Sequence, residues 1–268
     1  MDLELKGKRA LVTGGSRGIG KAIARALAQE GADVALLARN PQALSAAAAE
    51  IAAETGSKVV GVSGDTTSDE QTHRAVAEAV RKLGGSIDIL VNAAAEPAGI
   101  AGPLKLAEIT GEFFHAEMDT KVMGYIRCAR EVVDGMRTHG WGRIVNISGL
   151  AARQTGNAVG SMRNIAVAAL TKNMADELGP SGINVTVVHP GLTRTERTAP
   201  LVAARAAAAQ GMSAQAIEEQ MAAGNSINHL VDASEVAHVV AFLCSPKSRA
   251  INGDAIAVGG GAPRSIYY

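Results

Sequence analysis

Short apolar runs alternate along this chain with longer stretches in which apolar residues recur at helical spacing. Residues 9–12, 33–37, 58–62, 87–91, 142–147, 183–188 and 255–258 form runs too short for buried helices and rich in Val, Ile and Leu, so they read as strands buried on both faces. Helical windows fall between them; behind the first run, Ile23 and Leu27 with Ala22, Ala24, Ala26 and Ala28 make one apolar face. The Ala-rich stretches 46–49 and 206–209 also lie in helical windows, where alanine is the best helix former. This alternation predicts an α/β fold, a doubly wound parallel sheet of about seven strands with helices on both faces, in one domain over residues 1–268. Residues 195–230 break the rhythm. An excursion of that length is expected to hold helices of its own and to serve as a substrate lid. Its small aliphatic residues, with Met212 and Met221, point to a ligand with an apolar portion.

The first strand meets the first helix through Thr13-Gly14-Gly15-Ser16-Arg17-Gly18-Ile19-Gly20. Gly14 and Gly18 suit a tight turn and close approach of backbone to phosphate oxygens, and Gly20 lets the helix pack on the strand. The helix N-terminus offers free N–H groups and partial positive charge, so the junction reads as a cradle for a dinucleotide pyrophosphate.

Composition narrows the partners. A chain of 268 residues, 47% hydrophobic and 19% charged, buries a large aliphatic core. Lys plus Arg equal Asp plus Glu at 26 each, so no long-range field draws nucleic acid or an anionic membrane, and neither is expected as a partner. Cys128 and Cys244 lie far apart in apolar stretches without metal-ligand spacing, which reads as buried free thiols in a reducing compartment. The first residues, Met1-Asp2-Leu3-Glu4-Leu5-Lys6, carry neither a secretory pattern nor a membrane-spanning run, and a cytoplasmic location is expected.

With these elements in order, the chain resembles the short-chain dehydrogenase/reductase family from about Leu5 to Gly261. Residues 13–20 match its T-G-x-x-x-G-x-G turn, and Gly64-Asp65-Thr66 match the aspartate that meets the adenine ring. Asn92-Ala93-Ala94-Ala95 stand where the family has N-N-A-G. Pro190-Gly191-Leu192-Thr193-Arg194-Thr195 match the proline-glycine turn that contacts the carboxamide, and Ala257-Val258-Gly259-Gly260 resemble the closing strand. The resemblance implies a nicotinamide cofactor held by Gly14, Ser16, Arg17, Gly18, Ile19, Gly20, Arg39, Asp65, Thr66, Asn92, Ala93, Pro190, Gly191, Thr193 and Thr195. It also implies hydride transfer to or from a small carbonyl or alcohol substrate. The long helices around Lys121 and Gly160 resemble those that build homodimers and homotetramers in the family.

Charge at the end of the second strand separates the two dinucleotides. An acidic residue there would bond the ribose 2′-hydroxyl of NAD and repel the 2′-phosphate of NADP. Here Ala38 holds that position, Arg39 follows, and Arg17 projects from the glycine turn. Two guanidinium forks suit a phosphate, so NADP(H) is expected over NAD(H).

The proton-transfer set departs from the family. Its Tyr and Lys, four residues apart on one helix, align with Gly160 and Asn164, and no Tyr lies between Tyr125 and Tyr267. The family serine is matched one residue early by Ser148, which either bonds a substrate oxygen or satisfies nearby backbone. The family Asn in the helix after the fourth strand aligns with Lys121, so Lys121 and Asn164 exchange places. Lys121 then either transfers the proton, with its pKa lowered by burial, or only props the helix. His115, Glu117 and Asp119 read as a charged solvated face, His189 as a strand-end residue that either touches ligand or, the more common case, does not, and Tyr267 and Tyr268 as terminal residues that either fray or pack or, the less common case, supply a phenol from a second subunit. Two functions stay open, an oxidoreductase with a non-standard catalytic set and a nucleotide-binding protein without dehydrogenase activity.

Overall fold

The computed structural model describes residues 1–95, 104–209 and 212–263. The strands are β1 (Arg9–Thr13), β2 (Asp33–Ala38), β3 (Val59–Ser63), β4 (Ile89–Asn92), β5 (Gly142–Ile147), β6 (Ile183–Pro190), β7 (Thr193–Arg194), β8 (Val231–Asp232) and β9 (Ala255–Val258). The seven strands that answer to the apolar runs match them to within two residues; β6 reaches Pro190 because His189 and Pro190 pair with Ala257 and Val258. The helices are α1 (Gly18–Gln29), α2 (Pro41–Thr55), α3 (Asp69–Leu83), α4 (Gly111–Met118), α5 (Gly124–His139), α6 (Ala158–Leu178), α7 (Thr198–Ala208), α8 (Ala214–Ala222) and α9 (Ala233–Cys244).

Alternation along each strand builds two apolar layers. Ala10 and Val12 of β1, Val34 and Leu36 of β2, and Ile89 and Val91 of β4 pack with Ile23 and Leu27 of α1 and Val236 and Val240 of α9. Leu11, Ala35, Leu37 and Leu90, on the other face, meet Val76 and Leu83 of α3, Val132 and Met136 of α5, and Leu178 of α6. Both faces are therefore covered, which is why the strands carry unbroken apolar runs.

Seven parallel strands form the sheet in the order β3-β2-β1-β4-β5-β6-β9. The order reverses between β1 and β4, and a crevice opens there at the carboxyl ends of the strands. Where the sequence reads as one long helix after β4, the structure places α4, a π-helical turn Asp119–Met123 and α5 end to end. Such turns push one residue out of the regular hydrogen-bond ladder and are frequent at functional sites.

Among the described residues of 195–230, α7 and α8 form, and the excursion is tied at its base. Thr193 pairs with Val231 and Arg194 with Asp232, while the Arg194 guanidinium reaches Asp232 at 3.3 Å and Glu218 at 3.1 Å. Val202, Ile217, Met221, Ala222 and Leu230 form a small core within it, so these side chains pack mainly on one another. Met212 stands partly exposed at the surface. Cys128 and Cys244 are buried free thiols, pushed up to about 12 by burial. Among the described residues no helix is long and apolar enough to cross a membrane.

Candidate active site

A cavity of about 860 Å³ occupies the crevice, a size suited to a cofactor with a small substrate. Gly14, Ser16, Arg17, Gly18, Ile19, Gly20, Arg39, Asp65, Thr66, Ala93, Pro190, Gly191 and Thr195 all line it, as do Lys121, Ser148 and Asn164. The glycine turn is built as a cradle. Gly14 takes φ +67°, and a Cβ there would lie 2.8 Å from the Ala93 carbonyl oxygen. A Cβ on Gly20 would overlap the Gly14 carbonyl. Thr13 Oγ1 accepts bonds from the amides of Ala93 and Ala94, both at 3.0 Å, and so ties the ends of β1 and β4 together.

At the start of α1 the Gly18 amide donates to both oxygens of Glu196, at 3.0 and 3.1 Å. An anion thus already sits on this helix N-terminus, where backbone N–H groups and the helix dipole favour negative charge. The cradle without room for Cβ atoms and the carboxylate on its amide together fit a dinucleotide pyrophosphate. Asp65 is held in place through its Oδ1, which accepts from the Thr67 amide and hydroxyl at 3.0 and 2.9 Å.

Two expected cofactor residues do not line the cavity. Asn92 is buried between strands, in register with Asn146, and its Nδ2 donates to Asn146 Oδ1 at 3.0 Å. Asn146 Nδ2 donates in turn to Thr171 Oγ1 at 2.9 Å, so the Asn92 amide joins β4 to β5 and α6. Thr193 lies in the β7 pairing, with its hydroxyl donating to the Gly191 carbonyl at 3.0 Å.

The other part of the cavity wall carries Lys121 and Asn164. Lys121 projects from the π-helical turn and is buried; its Nζ donates to the Ser148 carbonyl at 2.9 Å and to Asn164 Oδ1 at 3.0 Å. One ammonium N–H is left without a partner among the described residues. The Lys121 pKa is brought down to about 7, chiefly by burial and then by Arg163, with Glu117 opposing both. The Ser148 hydroxyl donates to the Asn164 carbonyl at 3.0 Å, which keeps its lone pairs available as acceptors. Gly160 lines the cavity and sits under the cap of α6, because Asn157 Oδ1 accepts from the Gly160 amide at 2.8 Å. A Cβ at residue 160 would lie 2.8 Å from Asn157 Cγ.

The solvated-face reading of Glu117 fails: its Oε2 accepts from Arg163 Nη1, with side chains only 16% and 9% exposed. Asp119, whose side chain is 39% exposed, accepts from Arg127 Nη2 at 2.8 Å. His115 is exposed. His189 is buried behind the cavity, accepts from the Gly149 amide, and is pushed down to about 4, chiefly by burial and then by Arg153 and Lys121. Tyr267 and Tyr268 lie outside the described residues. Arg163 and Glu196, both cavity residues, are absent from the sequence-derived set. The spacing of Glu117 four residues before Lys121, with Arg163 adjacent to Asn164, is a signal that could have found the first.

A family model described as Enoyl-(Acyl carrier protein) reductase matches residues 14–263. The chain belongs to the short-chain dehydrogenase/reductase family and is an NAD(P)-dependent oxidoreductase acting on carbonyl or alcohol groups. It is 36% identical to dehydrogenase/reductase SDR family member 4 of Oryctolagus cuniculus over 265 residues, covering 98% of this chain and 96% of that one. It is 33% identical to the 3-oxoacyl-[acyl-carrier-protein] reductase FabG of Aquifex aeolicus, covering 97% and 99%. Among solved structures, L-sorbose reductase from Gluconobacter frateurii, complexed with NADPH and L-sorbose, superposes with TM-score 0.91 at 30% identity, covering 99% and 100%. An actinorhodin polyketide ketoreductase with NADPH gives TM-score 0.86 at 32% identity, covering 97% and 98%.

Proposed function

We propose that this chain is an NADPH-dependent carbonyl reductase in which Lys121 replaces the family tyrosine as proton donor. The observation that carries this reading is the buried Lys121 ammonium at the cavity wall, bonded to the Ser148 carbonyl and to Asn164 with one N–H to spare. Bound NADPH supplies the hydride. Gly14, Gly18 and Gly20 hold its pyrophosphate, Arg17 and Arg39 its 2′-phosphate, and Pro190, Gly191 and Thr195 its carboxamide. Asn164 orients Lys121, Lys121 gives its proton to the substrate oxygen directly or through one water, and the Ser148 hydroxyl leaves the Asn164 carbonyl to donate to the same oxygen. Helices α7 and α8 act as the lid that excludes water, with Met221 meeting an apolar part of the substrate.

The same reading holds that the enzyme is cytoplasmic and works as a homodimer or homotetramer. Support comes from exposed apolar side chains on neighbouring helices, Met162 and Ile165 on α6 and Phe113 on α4. Sedimentation of the purified protein tests it.

Cofactor choice is tested by titrating NADPH and NADH. Wild type should bind NADPH the tighter, and Arg39→Asp should weaken NADPH by about 10- to 100-fold, the worth of a charge-assisted bond, while changing NADH little. Tighter binding of NADH, unaltered by the substitution, would contradict this. A second titration addresses the carboxylate that shares the phosphate cradle. Glu196→Ala should tighten NADPH binding by about two- to fivefold, the scale of one anion at a helix N-terminus. Unchanged or weaker binding would mean that Glu196 does not compete for the Gly18 amide.

A further inference from the structure

We infer that Glu117 and Arg163 are positioning residues for Lys121, their ion pair clamping α4 to α6 alongside the lysine. The inference rests on Lys121 being the proton donor. Two cross-links run side by side between the same two elements. Glu117 on α4 takes Arg163 on α6, and four residues further along, across the π-helical turn, Lys121 takes Asn164, the next residue of α6. The pair is nearly closed to solvent and Arg163 lines the cavity, so water screens it poorly. Arg163 Nε is buried without an acceptor, a cost that a purely structural cross-link gives no reason to bear.

The two charges of the pair act on Lys121 with opposite sign. The Arg163 guanidinium disfavours the ammonium and the Glu117 carboxylate favours it. Other charged or titratable groups near the lysine do not take this part. His189 on β6 is neutral at pH 7, Tyr125 on α5 is pushed up by burial with its hydroxyl bonded to the Ile147 carbonyl, and Asp119 is engaged by Arg127. Removing either member of the pair therefore unbalances Lys121 in a direction that depends on which charge is lost. A mere staple has no such sign.

The test reads Lys121 twice in Glu117→Gln, Arg163→Gln and the double variant, by 13C NMR of the lysine ε-carbon without cofactor and by the pH dependence of kcat for ketone reduction with NADPH. Lys121→Met assigns the NMR signal. Glu117→Gln should move the Lys121 midpoint down and Arg163→Gln should move it up, each by about one pH unit, and the double variant should return it close to wild type. Arg163→Lys, which keeps the charge, should leave the midpoint near wild type and carries the test if Arg163→Gln does not fold. Midpoints that stay put, or move the same way in both single variants, overturn the inference. If the NMR midpoints split as expected while the alkaline limb of kcat stays fixed, the clamp stands and the proton-donor reading falls.

Discussion

Lys121→Met is expected to lower kcat for ketone reduction by about 10²- to 10⁴-fold, the usual worth of a positioned general acid, with the NADPH dissociation constant unchanged. The expectation follows from where the ammonium sits. It is buried, fixed by two hydrogen bonds, and near neutrality in its protonation, so at pH 7 it both holds a proton and releases it readily. Reduction consumes a proton, so the active form is protonated. Activity in that direction should be full below pH 7 and should fall as pH rises through the Lys121 midpoint near 7. In the variant this limb should vanish along with the rate. A lysine that only props the helix would instead lower the melting temperature and leave kcat and its pH profile alone.

Gly20→Ala should weaken NADPH binding by about 10- to 100-fold, matching the roughly 1–3 kcal/mol that overpacking of one methyl group costs. The new Cβ would overlap the Gly14 carbonyl, and Gly14 is itself in the left-handed region with the Ala93 carbonyl close against it. Neither backbone segment has room to yield without opening the cradle at the start of α1. Calorimetric titration of NADPH, with thermal unfolding of the free protein in parallel, separates loss of the site from loss of the fold. Binding within twofold of wild type would mean that the turn adapts and that its glycines are not set by the phosphates.

Elements whose signal is local were legible in the sequence. Apolar runs of strand length, and the glycines between Thr13 and Gly20, depend on neighbours within one turn or one strand, and the sheet follows them to within a residue or two. What escaped depends on partners distant in the chain. Asn92 looks like a cofactor ligand beside Ala93, yet its register with Asn146, 54 residues on, turns its amide into the sheet. Glu117 looks solvated on α4 until α6 brings Arg163 against it, 46 residues away. Glu196 finds the Gly18 amide across 178 residues, and no spacing pattern encodes that. The π-helical turn that carries Lys121 was hidden because its residues fit an ordinary helical window equally well. Lys121 and Asn164 stood out in the sequence against the family resemblance, whereas the hydrogen bond between the two had to be seen in space.

The most direct measurement follows NADPH absorbance with purified enzyme across a broad panel of ketones, with NADPH binding titrated in parallel and the product alcohol quantified. A reductase that uses Lys121 in place of tyrosine should consume NADPH with at least one ketone and form one alcohol for each NADPH oxidised. NADPH that binds the protein yet is consumed with no ketone on the panel would contradict it.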